Sequence, residues 1–201
     1  DDVLLIGEKL DDWTFGDSYK QEVWDLVLAD EGLNHSSLYA QDGTFSASAV
    51  LAAMGSDHHI INHVGHGNFE YMAGLYNDDV QGLANELPFI MYTQACEVAG
   101  FDEKEDQPGD CIAEELIQGE GGAVAFIGNS RYGWYVRGDT DGPSQKFDIS
   151  FFSQVYDQNV TDLGRALSYS KEEWVTMVST SDTVRWVYLE LNLLGDPETR
   201  V

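Results

Sequence analysis

Four short, unbroken apolar runs constrain this chain more than anything else in it: residues 3–6, Ile60–Val64, Phe89–Thr93 and 123–127. A strand with one wet face alternates apolar and polar residues. A continuous run of this length reads as a strand buried on both faces. Between the runs lie stretches with helical spacing. Residues 19–28 put Val23, Leu26 and Val27 on one face, with Gly32 beyond as a stop signal. Ala47–Met54 ends at Gly55, and residues 111–118 follow Asp110 as a candidate N-cap and stop at Gly119. Residues 149–156, 163–170 and 184–194 also read as helices. Strands alternating with helices predict an α/β protein, a mostly parallel sheet with helices on both faces.

Composition narrows the function. The chain has 201 residues, 43% of them hydrophobic and 12% aromatic, enough for the core of a single domain spanning 1–201. Ten Lys plus Arg stand against 36 Asp plus Glu, a formal charge of −26. Such a surface repels phosphates, so nucleic acid is not an expected partner. The acidity has three readings: attraction of basic substrates, calcium binding by clustered Asp, or plain solubility. The charges spread along the whole chain, densest at Asp11-Asp12, Asp78-Asp79 and residues 102–110. No apolar run approaches the ~20 residues of a membrane span. Two cysteines allow one disulfide and exclude both a disulfide scaffold and a four-cysteine zinc site. The chain opens directly on an apolar run and closes soon after another, which reads as a segment cut from a larger precursor with flanking domains.

In open α/β sheets, functional groups gather past the carboxyl ends of the strands. The run Ile60–Val64 leads into Gly65-His66-Gly67-Asn68, and Phe89–Thr93 leads into Gln94-Ala95-Cys96-Glu97. The 30 residues from His66 to Cys96 match one βαβ step. On neighbouring strands ~4.8 Å apart, the imidazole and the thiol would face one cleft. Imidazole can then draw the thiol proton during attack and return it to a leaving amine. The N–H groups of Gly67 and Cys96 are candidate oxyanion donors. The bland reading of Cys96 is a small buried hydrophobe. Cys111 is expected to pack on the sheet-facing side of its helix.

Four histidines fall within nine residues: His58, His59, His63 and His66. His59 and His63 have a zinc-ligand spacing if the segment is helical. The β-branched Ile60, Ile61 and Val64 favour a strand instead, and no His-Glu-x-x-His motif is present. Gly119-Glu120-Gly121-Gly122 precedes a strand and is no dinucleotide turn, and Ser130 lacks the second glycine of a nucleophile elbow.

Taken in order, these residues resemble the gingipain-type cysteine peptidases, a family with a caspase-like fold. The resemblance runs through Asn62-His63-Val64-Gly65-His66-Gly67-Asn68, Leu87-Pro88-Phe89-Ile90 with Ala95-Cys96, and Cys111-Ile112-Ala113-Glu114-Glu115-Leu116. It continues through Gly122-Ala123-Val124-Ala125-Phe126-Ile127-Gly128 to Leu191-Asn192-Leu193-Leu194-Gly195-Asp196-Pro197. It implies a caspase-like three-layer sandwich and a cysteine endopeptidase with Cys96 as nucleophile and His66 as general base. An upstream acid would orient the histidine: Glu8 matches best, with Asp11 and Asp12 as alternatives. Trp134 would form the aromatic wall of the substrate pocket, its bland reading being a half-buried loop aromatic. A basic residue before the cleaved bond would need an acid at the pocket base, for which Asp139, Asp141 and Asp17 are candidates. The family also implies peptide or protein substrates, a site outside the cell or at its surface, no required cofactor, and calcium as a structural ion at an irregular loop.

Two other functions compete. One is a non-catalytic caspase-like module in a secretion or surface-assembly protein. The other is a metallohydrolase using His58, His59, His63 and His66.

Overall fold

The structure, a computed structural model, describes residues 2–56, 58–102 and 109–201. Most of the acidic run 102–110 therefore lies outside the described residues. The four apolar runs are strands: β1 (Asp2–Gly7), β3 (Ile60–Val64), β7 (Phe89–Thr93) and β8 (Ala123–Asn129). They lie side by side and parallel in one six-stranded sheet. Two further strands close its edges. The first, β2 (Asn34–Tyr39), is parallel to β1, and the second, β9 (Leu191–Gly195), is antiparallel to β8, giving the order β2-β1-β3-β7-β8-β9. The two-residue strands β4 (Gly67–Asn68), β5 (Tyr71–Met72) and β6 (Leu75–Tyr76) form a separate small antiparallel sheet directly after β3.

Alternation along the central strands builds two cores. Leu4, Ile6, Ile61, Met91 and Phe126 face one side. There they meet α2 (Ala47–Met54), the short α3 (Asn77–Val80) and α4 (Ile112–Gln118). Val3, Leu5, Ile60, Ile90, Tyr92 and Ile127 face the other. That side is covered by α1 (Gly16–Val23), which passes into a π-helical turn at Trp24–Leu28, and by α5 (Pro143–Tyr156), α6 (Leu163–Trp174) and α7 (Asp182–Glu190). The result is the expected three-layer α/β sandwich.

Leu26, expected on the buried face with Val23 and Val27, is exposed while those two are buried, and three further details differ from expectation. The expected helix 184–194 stops at Glu190, and its apolar end becomes β9. The N-cap of α4 is Cys111, not Asp110, because the Glu114 carboxylate reaches back to accept the Cys111 N–H at 2.9 Å. Finally, β2, with its polar sequence Asn-His-Ser-Ser-Leu-Tyr, went unrecognised; it sits at the sheet edge, where no apolar run is required.

Candidate functional site

Adjacent parallel strands bring two loops together at one rim of the sheet. In the register of β3 and β7, Ile60 lies beside Ile90 and His63 beside Thr93. His66 and Cys96, each three residues beyond that last pair, line one pocket of about 50 Å³ with Leu10, Gln94, Gly133 and Trp134. The loops touch closely. A Cβ built on Gly67 would stand 2.8 Å from the Ala95 Cβ and 2.9 Å from the Cys96 carbonyl oxygen. Only glycine permits that approach.

Cys96 is half-buried and unpaired in any disulfide, and Cys111 is a free thiol buried in the core below α4. The Cys96 Sγ lies 3.8 Å from the Gly133 carbonyl oxygen. Burial pushes its thiol pKa above the ordinary value. The turn that carries it is held from both sides. Asn129, fully buried at the end of β8, donates its Nδ2 protons to the carbonyls of Gln94 and Ala95, each at 3.1 Å. On the other side, Glu97 N–H donates to the Arg131 carbonyl at 2.5 Å. Glu97 has φ +57°, a left-handed conformation that a non-glycine residue holds only when its surroundings enforce it.

His66 is exposed at the pocket rim, and its Nε2–H donates to the Leu10 carbonyl at 3.1 Å. That bond leaves Nδ1 as the accepting nitrogen of the neutral ring. The Leu10 carbonyl is well fixed. Its side chain is buried against Tyr19 and Val64, and its N–H donates to the Thr14 carbonyl at 2.9 Å.

Glu8 therefore occupies a different place from the one expected. Its Oε1 accepts from His63 Nε2 at 2.9 Å, and it is this neighbouring histidine that it orients. His63 is fully buried, and its Nδ1 lies 2.8 Å from Thr93 Oγ1, which in turn accepts the Ala95 N–H at 3.1 Å. The physical reason is the pleat: His63, inside β3, turns its ring into the protein toward Glu8, whereas His66 lies beyond the strand end on the open loop. Asp11 and Asp12 are engaged elsewhere, Asp11 with Tyr135 and Asp12 with Lys9.

Trp134 does line the pocket, 40% exposed, with its N–H donating to Ser144 Oγ. The three acidic candidates for the pocket base do not line it. Asp139 borders a separate hollow with Trp13 and Tyr19, Asp141 pairs with Lys146, and Asp17 lies in an acidic groove of about 740 Å³ with Glu22, Asp25 and Asp42. Nor do the four histidines assemble. His58 bonds Ser36 and Ser56, and His59 precedes β3 while His66 follows it, a strand length of ~17 Å away. Among the described residues no group of three or more His, Cys, Asp or Glu side chains is placed to hold a metal.

A motif reading missed three participants. Leu10 acts through a backbone carbonyl, which no side-chain pattern reveals. Asn129 and Gln94 are buried polar residues just past apolar runs, and that break in the apolar pattern was the signal available in the sequence.

The site can be set beside known proteins. Gingipain R (RgpB), an Arg-specific cysteine proteinase, superposes with a TM-score of 0.75 at 16% identity, over 100% of this chain and 47% of that one. A complex of the Porphyromonas gingivalis RgpB pro- and mature domains gives 0.73 at 16% identity, covering 100% and 48%. A third structure, described as a protease, gives 0.68 at 17% identity, covering 99% and 48%. The chain thus spans about half the length of these structures, and at such identity the likeness shows the fold. No curated protein matches. The model of peptidase family C25 matches residues 2–201, and the chain belongs to that family.

Proposed function

We propose that this domain is a cysteine endopeptidase in which Cys96 attacks the scissile carbonyl and His66 moves the protons. The observation that carries the reading is the shared pocket of Cys96 and His66, with His66 Nε2–H donating to the Leu10 carbonyl so that Nδ1 is the nitrogen left to take up a thiol proton. With burial raising the thiol pKa, Cys96 rests as the neutral thiol, so His66 acts as general base during attack. The thiolate sulfur bonds to the carbonyl carbon, and the negative charge passes to oxygen near the N–H groups of Gly67 and Cys96. Collapse breaks the C–N bond, and the imidazolium gives its proton to the departing amine. Water, deprotonated by the same imidazole, then cleaves the thioester.

The rim suits a peptide. Trp13, Tyr132, Trp134, Tyr135 and Val136 stand exposed on the loops around the pocket, apolar surface against which an extended chain packs. A preference for a basic residue before the scissile bond draws no support from Asp17, Asp139 or Asp141, since none lines the pocket. Location outside the cell or at its surface is part of the same proposal. No helix among the described residues is long and apolar enough to cross a membrane.

The test is cleavage of an unstructured protein substrate by the parent and by Cys96→Ala. The variant should lose activity by about a thousandfold or more while keeping its melting temperature. Equal rates in the two proteins would overturn the assignment.

A further inference from the structure

Resting on the reading of His66 as the general base, we infer that Thr14 and Asp11 are positioning residues that join the loop carrying Trp134 to the backbone carbonyl receiving His66. Neither side chain lines the pocket of Cys96 and His66. Both act through one peptide group.

That group lies between Leu10 and Asp11. A trans peptide is planar, and its C=O and N–H point in opposite directions. Here the C=O accepts from His66 Nε2 at 3.1 Å, and the N–H donates to the Thr14 carbonyl at 3.3 Å. The Leu10 N–H donates to the same carbonyl at 2.9 Å. Whatever places Thr14 therefore sets the plane whose oxygen meets the imidazole.

Thr14 is only 3% exposed, and its side chain is held by the loop that bears Trp134. Its Oγ1 accepts the N–H of Gly138, four residues after Trp134, at 2.8 Å. Asp11 supplies a second tie. Its Oδ1 accepts the Trp13 N–H at 2.7 Å, closing the turn, and its Oδ2 accepts from the Tyr135 hydroxyl at 3.0 Å. Arg137 reinforces it: Nε stands 3.9 Å from Asp11 Oδ2, and the guanidinium lies 3.4 Å over the Trp13 ring. Desolvation opposes the charge on Asp11, but the Trp13 N–H and the Thr14 and Tyr135 hydroxyls outweigh it and hold the carboxyl below its ordinary pKa. Asp11 thus meets these donors as a carboxylate, the stronger kind of acceptor. Leu10, His66, Trp134 and Tyr135 line one pocket, so the ties connect the wall that faces a substrate to the group that moves its protons.

The wall itself does not depend on the joint. Buried Tyr19 donates its hydroxyl to the carbonyls of Val136 and Asp139, at 3.1 Å and 2.5 Å. Cutting the joint loosens the base and leaves the wall anchored, so the loss falls on turnover more than on substrate binding.

The experiment compares the parent with Thr14→Val, Thr14→Ser and Asp11→Ala on one peptide, with kcat normalised to the folded fraction. Thr14→Val, close in shape but without the acceptor, and Asp11→Ala should each lower kcat by about tenfold or more, with KM moving less than about threefold. Thr14→Ser keeps the oxygen and should stay within about threefold of the parent. Nitrogen-15 NMR of the neutral His66 ring, assigned by its loss in His66→Gln, should show Nε2–H alone in the parent and both tautomers in Thr14→Val. A merely structural role would lower the melting temperature yet leave kcat per folded molecule and the tautomer unchanged, and that result overturns the inference. Equal losses in Thr14→Ser and Thr14→Val overturn it as well. Undiminished cleavage by Cys96→Ala overturns the peptidase reading and this inference together, whereas activity lost in Cys96→Ala but intact in Thr14→Val and Asp11→Ala overturns the joint alone.

Discussion

Glu8 and His63 are hydrogen-bonded at 2.9 Å inside the protein, three residues before the histidine that shares a pocket with Cys96. Their pairing separates two jobs that a motif reading had merged. Through Thr93 Oγ1 and the Ala95 N–H, this pair braces the turn that carries Cys96, while His66 donates to the Leu10 carbonyl.

Glu8→Gln should therefore spare catalysis. The amide oxygen can still accept from His63, so kcat/KM is expected to stay within about threefold of the parent. An acid directly orienting the catalytic histidine would cost orders of magnitude, about 10⁴ in the best-studied serine protease case. Steady-state kinetics on one peptide decide between the two.

Gly67→Ala should be damaging out of proportion to its size. The added methyl would press on Ala95 and on the Cys96 carbonyl, pushing the His66 loop off the nucleophile turn. A misplacement of about 1 Å can cost about 10²-fold in rate. The loss is expected in kcat more than in KM, with the fold retained by circular dichroism.

Alkylation of Cys96 by iodoacetamide should accelerate with pH well into the alkaline range. Burial raises its thiol pKa, so the reactive thiolate accumulates late. Cys111, buried and pushed up to about 12, should stay unmodified in the native protein. Peptide mapping by mass spectrometry across a pH series reads both outcomes. A rate already at its plateau in acid would show a preformed thiolate and refute the general-base description.

Glu190 gives the protein a pH-dependent weakness. Desolvation by burial raises its pKa from 4.5 to about 8. Between those values the folded state holds a proton that the unfolded chain has released, so stability falls as pH rises through the window. Glu190→Gln should flatten that decline. Urea midpoints at pH 5 and pH 8 should differ less in the variant than in the parent.

The sheet was largely legible from its sequence because β1, β3, β7 and β8 are buried on both faces and so read as unbroken apolar runs. The rim that unites His66 with Cys96 followed from their equal distance beyond neighbouring strands. Edge strands were less visible. β2 is polar, and β9 shares its apolar composition with the helix it follows, so only the antiparallel pairing with β8 distinguishes it. At the site, side-chain identity located Cys96, His66 and Trp134 in one pocket. It could not show the Leu10 carbonyl, which is backbone. Nor could it show the direction of the Gln94 amide, which four residues from α1, β3 and α5 decide together: Lys20, Asn62, Gln145 and Asp148.

Asn129 has a consequence for how this site can change. One carboxamide ties the backbone bearing the sulfur to the strand from which the Trp134 loop departs. Sequence drift that reshapes the Trp134 side of the pocket by shifting this strand end will drag the Cys96 sulfur with it. New specificities should therefore arise first by exchanging side chains on a fixed backbone, and only afterwards, if at all, by remodelling the loop.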